Sequence, residues 1–246
     1  MAPEDPGSAA PQTASAIAAT PLKIDEKSDL LDFHLAWPSE IGAIPQLALK
    51  IRAAAMTHKA ELLKSAAEDK AYRAKNGFPF QGYEYSGEFT VRGNTPGLLS
   101  LDESWFEYTG GAHPMHGTRA RLWDRSAGRE IAFSNLFIGG AAALDRLFSG
   151  PYCAALDKAR AEKRESTGIA TGADDPFNQC PKFADLAIIP SGAAGQPMDG
   201  ITFHADPYVA GPYADGDYDI ALPVTPAVIE ALKPAYRSSF EAQRPQ

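Results

Sequence analysis

The residues whose side chains could carry out chemistry or recognition lie in two short stretches of the chain. The first is YTGGAHPMHG, residues 108–117, in which two adjacent glycines precede His113 and His116. The second is residues 203–220, where three tyrosines accompany four aspartates. Imidazole titrates near neutrality and ligates metals, whereas tyrosine rings and carboxylates are common in surfaces that bind proteins or sugars. The two stretches are therefore candidates for catalysis, metal binding or recognition.

The first stretch favours a rigidly oriented histidine at the rim of a loop. Gly110 and Gly111 tolerate backbone angles that side chains forbid and allow a close approach to the main chain. Pro114 restricts His113 to extended geometry. A purely structural bend fits the same pattern, because glycine pairs between strands often form bulges. The predicted binding residues are Tyr108, Gly110, Gly111, His113, His116, Asp206, Tyr208 and Tyr213.

A metal site and a catalytic site are the alternatives for the histidine loop. Zinc would need His113 and His116 with a third ligand such as His204 or Asp206, but in an extended segment a three-residue offset points the two rings to opposite faces. We therefore predict no metal ligand. Catalysis would use His113 as general acid and base, oriented by Glu107 or Asp124.

No motif in the sequence marks a nucleophile or a nucleotide. A Walker loop, GxGxxG, GxSxG and HExxH are all missing from the printed sequence. We predict no catalytic residue and no cofactor, and an enzymatic role is the less favoured hypothesis.

Composition and charge argue against nucleic-acid binding and against a membrane-spanning helix. Against 31 acidic residues there are 23 lysines and arginines, so the formal net charge is -8, and nucleic acid, which needs a positive patch, is not an expected partner. The sequence has no apolar run near the roughly 18 residues of a membrane-spanning helix. At 246 residues and 44% hydrophobic, the chain can bury a substantial core.

The hydrophobic periodicity predicts an α+β fold of two packed lobes, with mainly antiparallel sheets and flanking helices. Alternation at residues 31–37 predicts a strand, and three- to four-residue steps predict a long helix from Pro45 to about Arg73. Further strands are expected at residues 83–91, 98–108 and 118–123, then at 186–189, 201–204 and 218–223. Thr225 and Pro226 are typical of a helix start.

Two features of the middle of the chain concern its helices and cysteines. Residues 135–163 are helical in pattern, but Gly150 and Pro151 predict a break into two helices. Cys153 and Cys180 fit either one disulfide or two buried thiols, and we favour the disulfide in an oxidising compartment.

Residues 1–21 are rich in Ala, Pro, Ser and Thr, and we expect a flexible linker that follows a removed export signal.

Two segments resemble a family of bacterial envelope domains of unknown function. They are YTGGAHP with the following WDRSAGRE and SNLF, and ADPYVAGPYADGDYDIALP. The family is similar to the extracellular part of a lysozyme-sensing anti-sigma factor and to the non-catalytic N-terminal region of a peptidoglycan deacetylase. The resemblance implies a deacetylase-associated-like lobe at residues 22–115 and a lysozyme-receptor-like lobe at 116–240.

The resemblance also implies a function and a location. We expect a non-enzymatic, exported domain in the periplasm or on the outer surface, with a possible lipid anchor upstream as in a lipoprotein. Its expected partner is a cell-wall fragment, such as peptidoglycan, or a cationic wall-active protein such as lysozyme. The alternative that the resemblance leaves open is a hydrolase of wall glycan or peptide with His113 as general acid and base.

Overall fold

The computed structural model describes residues 20–167 and 175–243 and confirms the α+β class. The strands are β1 (Leu22–Lys27), β2 (Leu31–Trp37), β3 (Tyr83–Asn94), β4 (Leu98–Tyr108), β5 (Met115–Asp124), β6 (Arg129–Glu130), β7 (Ala187–Ser191), β8 (Gly200–Ala205) and β9 (Tyr218–Pro223). The helices are α1 (Ser39–Gly42), α2 (Pro45–Asn76), α3 (Ala141–Thr167) and α4 (Pro226–Ala231). Short 3₁₀ helices lie at Phe133–Leu136, Pro176–Asn178, Phe183–Asp185, Tyr213–Asp215 and Pro234–Ser239.

The first sheet contains six strands in the order β1-β2-β3-β4-β5-β6. Strands β2 and β3 pair in parallel and are connected through α2, whereas the other neighbours pair antiparallel. Buried and half-buried residues alternate along β2, and the buried ones pack against α2 in one apolar core. Pro45 at the first turn of α2 and left-handed Gly77 at its C-terminus set the limits of the helix.

The second sheet is antiparallel, in the order β7-β8-β9, and has its own core. This core includes side chains from α3, α4 and the 3₁₀ helix at Phe133–Leu136. The first sheet meets the second core at Gly93, where a Cβ atom would lie 2.5 Å from the Sδ of Met198. A side chain at position 93 would therefore displace the buried side chain of Met198.

Most strand predictions are confirmed, and one strand was missed. The meander of β3, β4 and β5 and the three late strands lie where the alternation placed them. Strand β1 was not predicted because four of its six residues are charged, which leaves Leu22 and Ile24 as its apolar contribution. These two side chains pack on the first core from the edge of the sheet.

The predicted break at Pro151 is wrong, because α3 is continuous and contains this proline. A proline inside a helix costs about 3 kcal/mol. Phe148, Tyr152 and Leu156 on the same helix are buried in the second core, and each buried large apolar side chain contributes about 1.5–3 kcal/mol. Their burial outweighs the local cost of the proline.

The remaining predictions concern the cysteines and the limits of the domains. Cys153 and Cys180 form a disulfide, as predicted. The proposed boundary between residues 115 and 116 stays a prediction, and the first sheet continues beyond it to Glu130. Residues 1–19 of the predicted linker, and residues 168–174 of the loop before Cys180, lie outside the described residues. No helix within the described ranges could span a membrane.

Candidate functional site

The GGAH loop connects β4 to β5 and is shaped by one of its two glycines. Gly110 has φ 81°, in the left-handed region that glycine tolerates best. Gly111, which we expected to need the same freedom, is outside that region. Instead, its carbonyl accepts a hydrogen bond from the Tyr108 hydroxyl at 3.2 Å. The loop is thus turned at Gly110 and fastened at Gly111.

Four rings from the two predicted stretches meet beside this loop. The rings of His113 and Tyr213 stack with centroids 4.0 Å apart, and His116 meets Tyr213 edge-on at 5.9 Å. Tyr208 lies 5.8 Å from Tyr213 on a tilted plane. We call His113, His116, Tyr208 and Tyr213 the ring cluster.

The Pro114 carbonyl fixes the centre of the ring cluster. It accepts hydrogen bonds from the Tyr213 hydroxyl and from Nδ1 of His113, each at 2.9 Å. The expectation that the two histidines point to opposite faces is wrong, since both contact Tyr213. The reason is that β5 begins at Met115, so His113 lies in the loop and does not follow strand geometry.

Tyr208 combines backbone strain with exposure. Its φ of 72° is the one positive value among non-glycine residues in the described chain, and its side chain is 49% exposed. Such a conformation costs on the order of 1 kcal/mol and persists where the surroundings hold it. Here the Tyr208 amide donates to the Gly211 carbonyl at 2.9 Å. An exposed apolar ring held at a cost is typical of a recognition residue.

A buried histidine and three aspartates lie directly beside the ring cluster. His204 donates from Nδ1 to Asp219 at 2.7 Å and from Nε2 to Asp206 at 2.9 Å. Burial alone would lower the pKa of His204, but the two carboxylates outweigh it and raise this pKa to about 9. His116 donates from Nε2 to Asp217 at 3.2 Å. We call Asp206, Asp217 and Asp219 with His204 the acidic set.

Asp206 connects the acidic set to the first sheet. One of its oxygens, Oδ1, accepts the Thr118 amide of β5 at 2.8 Å. Its other oxygen lies where a Cβ on Gly117 would be only 2.5 Å away. The glycine of the sequence MHGT therefore admits the carboxylate against the strand, a role that the sequence did not reveal.

Cationic side chains of α3 hold the segment that carries Tyr208 and Tyr213. Arg160, 2% exposed, donates to the carbonyls of Ala210 and Gln179, each at 2.9 Å. Lys163 donates to the carbonyls of Asp215 and Asp217. The sequence alone did not indicate that these basic residues position the site.

Two of the predicted binding residues lie apart from the ring cluster and line a small cavity. Tyr108 and Gly110 border a polar space of about 120 Å³ together with Asp69, Arg73 and Tyr83. Arg73 donates to Asp69 at 2.7 Å and to the Gly110 carbonyl at 3.5 Å. The structure thus brings His113, His116, Asp206, Tyr208 and Tyr213 together and places Tyr108 and Gly110 beside α2.

The carboxylates proposed to orient His113 are engaged elsewhere. Glu107 accepts Nε2 of His58 at 2.7 Å. Asp124 accepts the Tyr236 hydroxyl and the amides of Ser126 and Ala127. The exposed His113 imidazole therefore lacks the partners that its predicted acid-base role required.

A larger, mostly apolar cavity of about 790 Å³ lies away from these side chains. It is bordered by β5, α3, the disulfide and the segment leading to β7. None of the predicted binding residues is among those that line it.

Comparison with known proteins gives one match in sequence. Residues 24–116 match the family model described as "Deacetylase PdaC". The match ends at His116, so it contains the GGAH loop but not Tyr208, Tyr213 or the acidic set. It supports the resemblance to the deacetylase-associated region, whereas the likeness to the anti-sigma factor stays a prediction. Comparison with curated proteins found no match.

Comparison with solved structures gives two likenesses. A DUF3298 family protein from Pseudomonas aeruginosa is 16% identical, with a TM-score of 0.54 over 91% of this chain and 96% of that one. A DUF3298 family member from Bacteroides fragilis is 18% identical, with a TM-score of 0.48 over 82% of this chain and 88% of that one. At such identity the first of these likenesses establishes a shared fold and says nothing of a shared activity.

Proposed function

We propose that this chain is an exported, non-enzymatic domain of the cell envelope that binds a cationic wall-active protein, of which lysozyme is the example, through the ring cluster and the acidic set. The observation that carries the proposal is the exposed, strained Tyr208, whose ring lies 5.8 Å from that of Tyr213 and which follows Asp206 by two residues. Protein surfaces that bind tightly use large aromatic side chains at the centre and charged groups around them.

The charges favour a basic protein over a wall glycan. The acidic set contributes three carboxylates against one buried imidazolium, and the whole chain carries -8. Lysine or arginine of a partner could pair with these carboxylates and lie over the faces of Tyr208 and His113. Stacking on aromatic rings would also suit a sugar, but the negative field adds nothing for a neutral glycan and opposes wall peptides that carry carboxylates.

Calorimetric titration of the full chain with hen lysozyme tests the proposal. We expect saturable binding with a Kd in the micromolar range or tighter. Tyr208→Ala should weaken it at least tenfold, which corresponds to about 1.4 kcal/mol. Tyr72→Ala is the matched control, because Tyr72 is 62% exposed but lies on α2, outside the ring cluster.

Two results would contradict the proposal. One is the absence of heat at millimolar lysozyme, and the other is unchanged affinity of Tyr208→Ala. Soluble wall fragments and neutral chitin oligosaccharides should be titrated in parallel. Saturable binding of these alone would assign the ring cluster to glycan recognition. Turnover of a wall substrate that disappears in His113→Ala would instead support the hydrolase alternative.

A further inference from the structure

We propose that His204, Asp206 and Asp217 form a binding site for a divalent transition-metal ion, for which Zn²⁺ is the best fit. One imidazole nitrogen and one carboxylate oxygen from each aspartate all lie within 4.8 Å of one another. The site goes beyond the proposed function, since it requires neither lysozyme nor a glycan. It also differs from the zinc arrangement considered for His113, which contributes no ligand here.

The spacing of the three groups requires little adjustment. Zinc binds imidazole nitrogen and carboxylate oxygen at about 2.0–2.2 Å, so two ligands of a tetrahedral ion are roughly 3.4 Å apart. His204 Nε2 and Asp206 Oδ1 are already separated by 2.9 Å. Asp217 precedes β9 in a loop and is 34% exposed on its side chain, so it can close the remaining distance.

The surroundings of His204 supply the second shell that metal-binding histidines have. A ligating imidazole usually donates its other N–H to a carboxylate, which fixes its orientation. Asp219 is the cross-strand neighbour of His204 in the β8–β9 pair and takes the Nδ1–H at 2.7 Å. The Nε2 atom is thereby directed at Asp206, and a bound metal would take the place of the proton between them.

The carboxylates of Asp206 and Asp217 are also oriented by hydrogen bonds from neighbouring donors. Asp206 is held through Oδ1 by the Thr118 amide, and Asp217 lies 3.2 Å from Nε2 of His116. His116 can remain an outer-shell donor or replace a water as a fourth ligand. One imidazole with two carboxylates fits a borderline ion such as Zn²⁺ better than Ca²⁺, which takes six to eight oxygens.

Access to the site is open on one side. The His204 side chain is 7% exposed, while Asp206 and Asp217 are 32% and 34% exposed. A metal could therefore enter from solvent past the two carboxylates, while the imidazole forms the buried end of the site.

Calorimetry on the EDTA-treated full chain tests the inference with Zn²⁺ alone. We expect one equivalent to bind with a Kd of micromolar or tighter, and Ca²⁺ to bind at least tenfold more weakly. Asp217→Asn should weaken Zn²⁺ binding at least tenfold. Asp25→Asn is the matched control, because Asp25 also pairs with a histidine, His34, but lies on β1.

A second readout keeps the test valid if one variant folds poorly. Co²⁺ should give visible absorption bands of a nitrogen- and oxygen-ligated ion in the native chain. The same bands should appear in His113→Ala, which removes an exposed imidazole that is not a proposed ligand. The inference is overturned if Zn²⁺ does not saturate the native chain at 100 µM. It is equally overturned if Asp217→Asn binds like the native chain, or if His113→Ala abolishes binding. All of these measurements omit lysozyme, so failure of the proposed function leaves them interpretable.

Discussion

Gly117 belongs to β5 of the first sheet and lies against Asp206 of the acidic set, where there is no room for a side chain larger than hydrogen. A Cβ at this position would lie 2.5 Å from Asp206 Oδ2 and 2.9 Å from Trp105 Nε1. The carboxylate belongs to Asp206 and the indole to Trp105, so a Cβ at position 117 would require both side chains to move. The residue is therefore a positioning element of the site, although it contributes no functional group.

We predict that Gly117→Ala destabilises the chain by about 1–3 kcal/mol, the range for overpacking, and weakens lysozyme binding. Urea unfolding measures the loss of stability. Gly150→Ala is the control, because Gly150 lies in α3 with open space around it, and there the same change should stabilise the helix by about 0.5–1 kcal/mol. Equal stability of Gly117→Ala and the native chain would refute the close approach.

Asp124 predicts a pH dependence of stability. Burial would raise the pKa of this carboxyl, but hydrogen bonds from Ala127, Ser126 and Tyr236 outweigh it and hold the pKa below its usual value. Because the pKa is lowered on folding, the contribution is present above the unfolded pKa of about 3.9 and is lost as pH falls through the folded value.

We therefore expect Asp124→Asn to cost about 1.5–3 kcal/mol at pH 7, the usual loss for hydrogen bonds to a charged group. The difference from the native chain should shrink as the pH falls below about 4. Urea unfolding between pH 2.5 and 7 provides the measurement. A difference that does not change with pH would mean that Asp124 acts by shape alone.

At the scale of elements, the disulfide joins α3 to the segment that leads into β7. Cys153 lies in the helix that buries Tyr152 and Leu156, and the Cα atoms of the two cysteines are 5.6 Å apart across 27 residues of sequence. The bond therefore fastens the second sheet to the helix that packs on it. The same helix also holds the Tyr208–Tyr213 segment through Arg160.

Replacing both cysteines with serine should lower the free energy of unfolding by about 3.5 kcal/mol on the chain-entropy model. Thermal unfolding of the double variant, beside the native chain with and without reductant, measures the effect. Native protein with two free thiols under denaturing conditions, or an unchanged Tm after reduction, would contradict it.

The continuity of α3 shows how tertiary packing overrides a local signal. Gly150 and Pro151 are strong breakers in isolation, and the sequence around them predicts two helices. The apolar face of the helix is buried on both sides of the proline, and that contribution cannot be read from the dipeptide itself. Strand β1 shows the converse, because its charged residues hide a strand whose pairing depends on the neighbouring β2.

At the scale of the whole molecule, the sequence predicted the fold class better than the site. Period-two alternation and cap residues identified most elements because they depend on local chemistry. The sequence placed His113 and Tyr213 in two candidate binding segments, but it did not predict that their rings stack. His204 was considered only as a third ligand for His113 and His116, and its grouping with Asp206 and Asp217 was missed. Cross-strand register and loop closure, which bring these residues together, leave no local pattern.

The net charge of -8 predicts how partner binding responds to salt. If a basic protein binds the acidic set, its affinity should fall several-fold between 50 and 300 mM NaCl, since screening shortens the reach of exposed charges. Calorimetry or surface binding at several salt concentrations measures this. Affinity that is independent of salt would indicate contact through the rings alone.

The position of β1 at the margin of the six-stranded sheet has a consequence for solubility. An unpaired strand edge is a template on which a foreign strand can grow, and lysines and other charges along such an edge oppose that growth. Strand β1 has Lys23, Asp25, Glu26 and Lys27 within six residues. A second copy that aligned its own β1 there would have to remove water from these charged groups, so the charges of β1 oppose aggregation of the folded protein through this edge.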